Sequence, residues 1–483
     1  MDALRRLRAA FDAAQFRESG HDLVDQLADY LDATLAGRTP SVLPVVAPGD
    51  QLASTPMFGE EPSSLVKEVA EDLLRRGFHL HHPRTMGHQD GLPVPAAALA
   101  GLLTSLMNND PSVYETGPAV VPIEVRVLRW MSDEIGLPQE AGGVITNGGS
   151  LGNLTALLAA RQARAGFDLW SRGQSAGEDL CVLVSEQAHY CVSRAVRIMG
   201  WGDEGIVKVP VDAGKRLDPA ALPAALEEAR ARGRRPIAVV GSACTTATGS
   251  YDPLDAIADF AEAHGLWFHV DAAHGGSVVL SPEYRDRARG LERADSVVWD
   301  CHKLMMMPAL LTAVLFRDGR RGYETFRQEA TYLFEERPDE EWYNPGNRTI
   351  ECTRPASAVL LYTALRVHGV GVFRDYVTRC FDVARMLADK VEAAPDFELH
   401  MRPDANIVCF RYRRGGPAGD GLHEHARRVV LESGRYYLTS VDLDGRNWLR
   451  CTLQNPFTDE PELDGLLETI RTEIRSAEET GAR

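Results

Sequence analysis

No apolar run in this chain is long enough to span a bilayer, so no transmembrane helix is expected. Positive charge is also in short supply. Lysine and arginine total 52 against 69 aspartates and glutamates, a net charge of -17, which offers phosphate backbones no general attraction and argues against nucleic acid as a partner. The eight cysteines are scattered without CxxC or metal-finger spacing, which fits a reduced, cytoplasmic compartment better than a disulfide framework. His79, His81, His82 and His88 crowd into HLHHPRTMGHQDG with neither HExxH spacing nor a Cys partner. That stretch reads as a pocket-lining loop, and no metal is expected. In the opening MDALRRLRAAFDAAQ, acidic residues interrupt the helical spacing and no apolar signal core follows, so a secretory leader is not expected.

What is present suits a globular protein. The length of 483 residues and hydrophobic fraction of 44% imply two or three structural units around at least one large core. Up to about Gly77, amphipathic helical stretches alternate with a Pro-rich connector, Thr39 to Pro56; with little core of its own, this segment reads as an arm packed on another surface, such as a second subunit. From Gly142 onward strand, turn and helix repeat. Cys181 to Ser185 precedes the helix SRAVRIMG, Ile237 to Gly241 precedes a helix over Leu254 to His264, and Leu266 to Val270 precedes a small-residue turn. This alternation predicts an α/β fold with a largely parallel sheet and a site at the carboxyl ends of its strands.

The chemistry converges on Ala294 to Phe316, ADSVVWDCHKLMMMPALLTAVLF, where Lys303 lies between two runs with the composition of buried strands, Ser296 to Trp299 and Leu310 to Phe316. Burial there is expected to lower the lysine's pKa and leave a nucleophilic amine able to form a Schiff base. The alternative is a lysine whose stem packs on apolar surface while its head reaches water. Asp271 ends the apolar strand in LWFHVDAAHGGS, before small residues that would admit a flat group; it either faces a cation such as a protonated pyridine nitrogen or caps the following turn. In GGVITNGGSLGNL, Gly148, Gly149 and Ser150 would let backbone amides approach an anion at a helix start, or would only make a tight turn. Walker GKS or GKT is absent. Leu151, Leu154, Leu157 and Leu158 are expected to face inward from that helix. His189 could stack on the same flat group or be structural. Arg450 in NWLRCTLQNP could clamp a carboxylate or make a surface ion pair. The polar stretch QEATYLFEERPDEEWYNPGNR reads as a mobile loop over a site.

Taken together and in this order, from about His82 to Pro456, these motifs resemble the group II pyridoxal-phosphate amino-acid decarboxylases, the family of the glutamate, aromatic-amino-acid, cysteine-sulfinate and diaminobutyrate enzymes. The resemblance implies an α/β fold of type I, like aspartate aminotransferase, with an N-terminal helical arm (1–90), a large cofactor-binding domain (91–368) and a small α+β domain (369–483). It implies pyridoxal 5'-phosphate as cofactor, with Lys303 in WDCHK as the Schiff-base lysine and His302 as the histidine before it. Asp271 then pairs with the pyridine nitrogen, Gly149 and Ser150 hold the phosphate, His189 stacks on the ring, and Thr246 in CTTATGSYDP takes the family's threonine position. Asp300 stands where many members have Asn, and Cys301 where many have Pro, which alters packing around the lysine.

Tyr343 is similar to the loop tyrosine that protonates the quinonoid carbon, and Arg450 to the arginine that holds the substrate α-carboxylate. The implied reaction is α-decarboxylation of an L-amino acid to its amine and carbon dioxide, through a Lys303 Schiff base and a quinonoid. His88, Gln89 and Asp90 fall on the loop that shapes the substrate pocket in the family. Because the Asp90 carboxylate would repel an acidic side chain, diaminobutyrate-like or small polar substrates are expected first, acidic ones second and aromatic ones third. Decarboxylation to an aldehyde, another carbon-carbon lyase reaction, and a catalytically silent binding protein are the alternatives. Tyr343 favours simple decarboxylation over the first two, and the presence of Lys303, Asp271 and Tyr343 argues against the third. The family builds its active site between two subunits, so the resemblance also implies a homodimer, with no nucleic-acid or membrane partner.

Overall fold

Between Gly142 and Phe316 the chain lays down seven strands, β1 (Gly142–Thr146), β2 (Asp179–Ser185), β3 (Ile206–Val209), β4 (Arg234–Ser242), β5 (Trp267–Asp271), β6 (Ser296–Asp300) and β7 (Thr312–Phe316). They form one sheet in the order β1-β7-β6-β5-β4-β2-β3. The run from β3 through β2, β4 and β5 to β6 is parallel, and β7 lies antiparallel to both its neighbours. The computed structural model describes residues 3–57, 65–167, 169, 173–174, 179–328, 342–413 and 418–480.

Successive strand residues feed opposite faces, as the two-residue period of a strand requires. Val297, Trp299, Ala313 and Leu315 join one apolar cluster; Val298, Val314 and Phe316 join the other. Both faces are covered, so the strands read as continuous apolar runs, which is why those beside Lys303 could be found from composition. The helix Leu254–His264 has the bounds that its spacing predicts.

The helix Gly149–Arg164 differs from expectation. Of the four leucines Leu157 is buried and Leu154 and Leu158 pack half-buried against the same apolar cluster, while most of the fully buried face is Gly152, Asn153, Thr155, Ala156, Ala159 and Ala160. The helix lies too close to the sheet for larger side chains. A Cβ on Gly152 would already stand 3.1 Å from Thr312 Cγ2 and 3.2 Å from Val298 Cγ1.

The chain divides into two units. One comprises Gln89–Arg385 with Met401–Val408 and carries the seven-stranded sheet; the other comprises Met1–His88, Met386–His400 and Cys409–Arg483. The second has strands β8 (Phe397–Leu399), β10 (Thr439–Leu443) and β11 (Arg446–Thr452), and β9 (Ile407–Tyr412) from Cys409 onward, in a sheet of order β10-β11-β9-β8. Asp444 and Gly445, both with positive φ (56° and 73°), form the two-residue hairpin turn between β10 and β11, a conformation that Asp-Gly favours. Within the N-terminal segment, Asp12 caps the helix Ala13–Leu35, and Pro48 starts a short helix, Pro48–Ala53, inside the Pro-rich connector. Among the described residues no helix is long and apolar enough to cross a membrane.

Candidate active site

At the carboxyl end of the parallel strands, register brings the chemical residues together. Ser242 pairs with Asp271 across β4 and β5, Asp271 with Val298 across β5 and β6, and Asp300 with Thr312 across β6 and β7. The turns beyond them open into one cavity of about 380 Å³ whose wall includes Gly149, His189, Thr246, Asp271 and Lys303. Ser150, Asp300 and His302 line it as well. A larger cleft of about 880 Å³ lies at the amino ends of β5 and β6, against Trp267 and Asp295. Two of its four arginines are matched by acids, Arg320 to Asp318 at 2.9 Å and Arg321 to Glu324 at 2.8 Å, and no lysine lines it. The smaller cavity carries the chemistry.

Lys303 sits in the single helical turn Cys301–Leu304 that follows β6. Its Nζ lies 3.0 Å from Asp300 Oδ2, while Thr312 Oγ1 donates to Asp300 Oδ1 at 2.5 Å. Desolvation is the largest single influence on the ammonium and pulls its pKa down, as the sequence suggests. The charges of Asp300 and Asp271, with the hydrogen bond to Asp300, together outweigh it and raise the pKa. The expected depression is therefore absent. The apolar run that buries the lysine also supplies a carboxylate three residues earlier, one turn away.

Asp271 is buried at the end of β5. Its Oδ1 accepts the Ala273 N–H at 3.2 Å, and its Oδ2 faces the Cys191 thiol at 3.9 Å. Ligand atoms of His189, Cys191 and Asp271 all lie within 4.8 Å of one another. His189 caps the helix Tyr190–Ile198, its Nδ1 accepting the Cys191 N–H at 3.4 Å, and burial lowers its pKa so that the ring is neutral near pH 7. Burial likewise pushes the Cys191 thiol well above its ordinary value. Cys191 is a residue that motif reading passed over. Its position in the first turn after His189 was the available signal.

At the end of β1, Gly148 has φ 97°, a conformation that favours glycine, and the helix Gly149–Arg164 starts immediately after it. The first N–H groups of a helix have no intrahelical acceptor and meet the positive end of its dipole. A side chain on Gly149 would crowd the site, since its Cβ would fall 3.0 Å from Asp300 Oδ2. A glycine cradle at a helix start, an amine, and a buried carboxylate fit the phosphate, aldehyde and ring nitrogen of pyridoxal phosphate.

Gly91 ties residues 89–91 to the lysine's turn. Its N–H donates to His302 O at 3.2 Å, and a Cβ there would lie 2.0 Å from Lys303 O. Gln89, half-buried, and Asp90, exposed, are thereby its chain neighbours at that turn. Among the described residues of the same unit, Tyr343 is not on the cavity wall. Tyr343 packs edge-on to Tyr114, with ring centroids 6.2 Å apart, and Asn344 Oδ1 accepts the Tyr114 N–H at 2.9 Å. His88 and Arg450 belong to the other unit, His88 5.8 Å ring to ring from Tyr437 and Arg450 Nη1 3.4 Å from both Gly87 O and Thr439 Oγ1. Most of the predicted mobile loop, including YLFEE, lies outside the described residues.

An α/β sheet with a lysine, a carboxylate and a glycine cradle at its strand ends defines a pyridoxal-phosphate enzyme of fold type I. Residues 51–413 match the model of the pyridoxal-dependent decarboxylase conserved domain, and the chain belongs to that family. It is 28% identical over 469 residues to an aromatic-L-amino-acid decarboxylase from Bacillus atrophaeus, covering 95% of each chain. It is 31% identical over 441 residues to an L-2,4-diaminobutyrate decarboxylase from Rhizobium meliloti, covering 90% of this chain and 86% of the relative. The crystal structure of mouse CSAD superposes with a TM-score of 0.87 at 26% identity, covering 96% of this chain and 99% of that one. The protein is a pyridoxal-phosphate-dependent carboxy-lyase acting on amino acids.

Proposed function

We propose that the chain decarboxylates a small L-amino acid bearing a second amino group, of the 2,4-diaminobutyrate kind, to the corresponding amine. The observation that carries this reading is the charge around the cavity. Asp271 and Asp300 stand against the single ammonium of Lys303, His189 is neutral, and Asp90 adjoins Gly91 on the lysine's turn. An acidic side chain would enter against that field, whereas a cationic one is drawn in. The likeness to an L-2,4-diaminobutyrate decarboxylase supports the same choice.

When bound, pyridoxal phosphate supplies an aldehyde for exchange between amines and a ring that takes up the electron pair left by departing carbon dioxide. The residues have separate tasks in this reading. Lys303 provides the amine that links to the aldehyde, with Asp300 and His302 fixing its turn. Asp271 keeps a proton on the ring nitrogen, Gly149, Ser150 and Thr246 hold the phosphate end, and His189 covers the ring face. Arg450 takes the α-carboxylate, and His88, Gln89 and Asp90 shape the side-chain pocket. Tyr343 delivers a proton to the α carbon, assisted by His189.

Tyr343 is assigned with a homodimer in view. The helix Pro95–Met107 exposes Leu99, Leu102, Leu103, Leu106 and Met107, an apolar face that a second copy would cover. All eight cysteines are free thiols, consistent with a cytoplasmic site of action. The test is product analysis: protein loaded with pyridoxal phosphate is offered diamino, small polar, acidic and aromatic amino acids, and amines and aldehydes are read by mass spectrometry. An amine formed fastest from the diamino acid is expected. Preference for an acidic or aromatic substrate, or aldehyde as the main product, would overturn the reading.

A further inference from the structure

Cys191 stands on the cavity wall with His189 and Asp271, and no step of the chemistry above employs its thiol. A ring nitrogen of His189, the Cys191 sulfur and a carboxylate oxygen of Asp271 all fall within 4.8 Å of one another, with the sulfur 3.9 Å from Asp271 Oδ2. Among the described residues no other three side chains of these types come together in this way. A tetrahedral zinc ion bound by one nitrogen, one thiolate and one oxygen holds those atoms about 3.3–3.6 Å apart. Small side-chain rotations therefore close the group on an ion. The surroundings favour a cation as well, since Asp300 lines the same cavity and Lys303 is its only lysine.

We infer that the cofactor-free protein binds one zinc ion through His189, Cys191 and Asp271, with a cavity water as fourth ligand, and that zinc and pyridoxal phosphate exclude each other. An imidazole, a thiolate and a carboxylate suit zinc, whereas calcium and magnesium take oxygen ligands. As the Zn–S bond forms, the thiol S–H bond breaks and its proton passes to solvent; no electron is transferred. The exclusion rests on the tasks assigned above, because Asp271 and His189 are the groups given there to the ring nitrogen and the ring face. Zinc thus controls how readily empty protein regains its cofactor.

The experiment titrates zinc chloride into chelator-washed, cofactor-free protein against a chromophoric competitor, for the wild type, C191S, C191A and C352S. Melting temperature and circular dichroism serve as folding controls. One zinc per chain is expected, held at least tenfold more weakly by C191S and C191A and unchanged in C352S, which lacks the exposed thiol. Cobalt in place of zinc is expected to give a thiolate-to-metal charge-transfer band in the wild type and C352S and none in C191S. Holoenzyme is expected to take up no metal there, and zinc-loaded protein to bind pyridoxal phosphate at least tenfold more weakly. Equal zinc affinity in the Cys191 variants, or a wild type without the band, overturns the site. Metal uptake by holoenzyme with the band intact overturns the exclusion, and with it the pairing of Asp271 with the ring nitrogen. Should both Cys191 variants fail to fold, cobalt in the wild type and C352S decides: a band that pyridoxal phosphate abolishes supports the inference, and one that survives the cofactor overturns it.

Discussion

Lys303 Nζ and Asp300 Oδ2 stand 3.0 Å apart, and the aspartate side chain is only 2% exposed. The pair raises the folded-state pKa of the ammonium above its unfolded value of about 10.4. Its stabilisation is therefore complete below about pH 10 and is lost as pH rises through the folded-state pKa. D300N is expected to cost the cofactor-free protein about 2 kcal/mol at pH 7, discounted from a fully buried pair because Lys303 is partly exposed. Urea unfolding at pH 7 and at about pH 11 checks the sign: the gap between variant and wild type should narrow at the higher pH. A gap that stays constant would remove the ion pair from the account.

Gly91 has no room for a side chain against Lys303 O, at 2.0 Å from its would-be Cβ. Gly91→Ala must push either residues 89–91 or the lysine's turn aside. At least a tenfold weaker hold on pyridoxal phosphate is expected, measured by titrating cofactor into the cofactor-free protein and following absorbance. Unchanged affinity would mean that this contact does not position Lys303.

The guanidinium of Arg354 and the carboxylate of Glu124 are both 2% exposed and meet through two bonds, with Ile145 contributing its N–H to Glu124 and its carbonyl to Arg354. Removing one partner leaves a buried charge unpaired. Arg354→Met is expected to cost about 3–5 kcal/mol in urea unfolding, and the double change Arg354→Met with Glu124→Leu less than that.

Thiol reactivity should follow burial. Desolvation drives Cys181 up to about 11 and Cys380 and Cys409 up to about 12, whereas Cys352 is the exposed thiol. At pH 8 a thiol reagent is expected to label Cys352 in one fast phase that Cys352→Ser abolishes, as read by peptide mass spectrometry. Fast labelling of Cys191 would contradict its placement against Asp271.

The strands that end at Asp271 and lead into Lys303 were readable in the sequence because a sheet covered on both faces leaves unbroken apolar runs, and the residues at or just beyond their ends stood out as polar interruptions. The helix after Gly149 was readable in position but not in its buried face. Close packing on Val298 and Thr312 rewards small side chains, which a search for leucines does not find. The pKa of Lys303 depends on where the Asp300 carboxylate turns, which no periodicity encodes. Cys191 resembles core filler until the fold aims it at Asp271. The contact between Asn147 and Glu351 spans 204 residues and appears only once the chain is folded.

The most direct test of the account asks which lysine holds the cofactor. The chain has five, Lys67, Lys208, Lys215, Lys303 and Lys390. Holoenzyme reduced with borohydride, digested and analysed by mass spectrometry should carry the pyridoxyl mass on the peptide containing Lys303, and K303A should carry none while remaining folded. The pyridoxyl group on any of the other four, or full turnover by K303A, would contradict the active site described above.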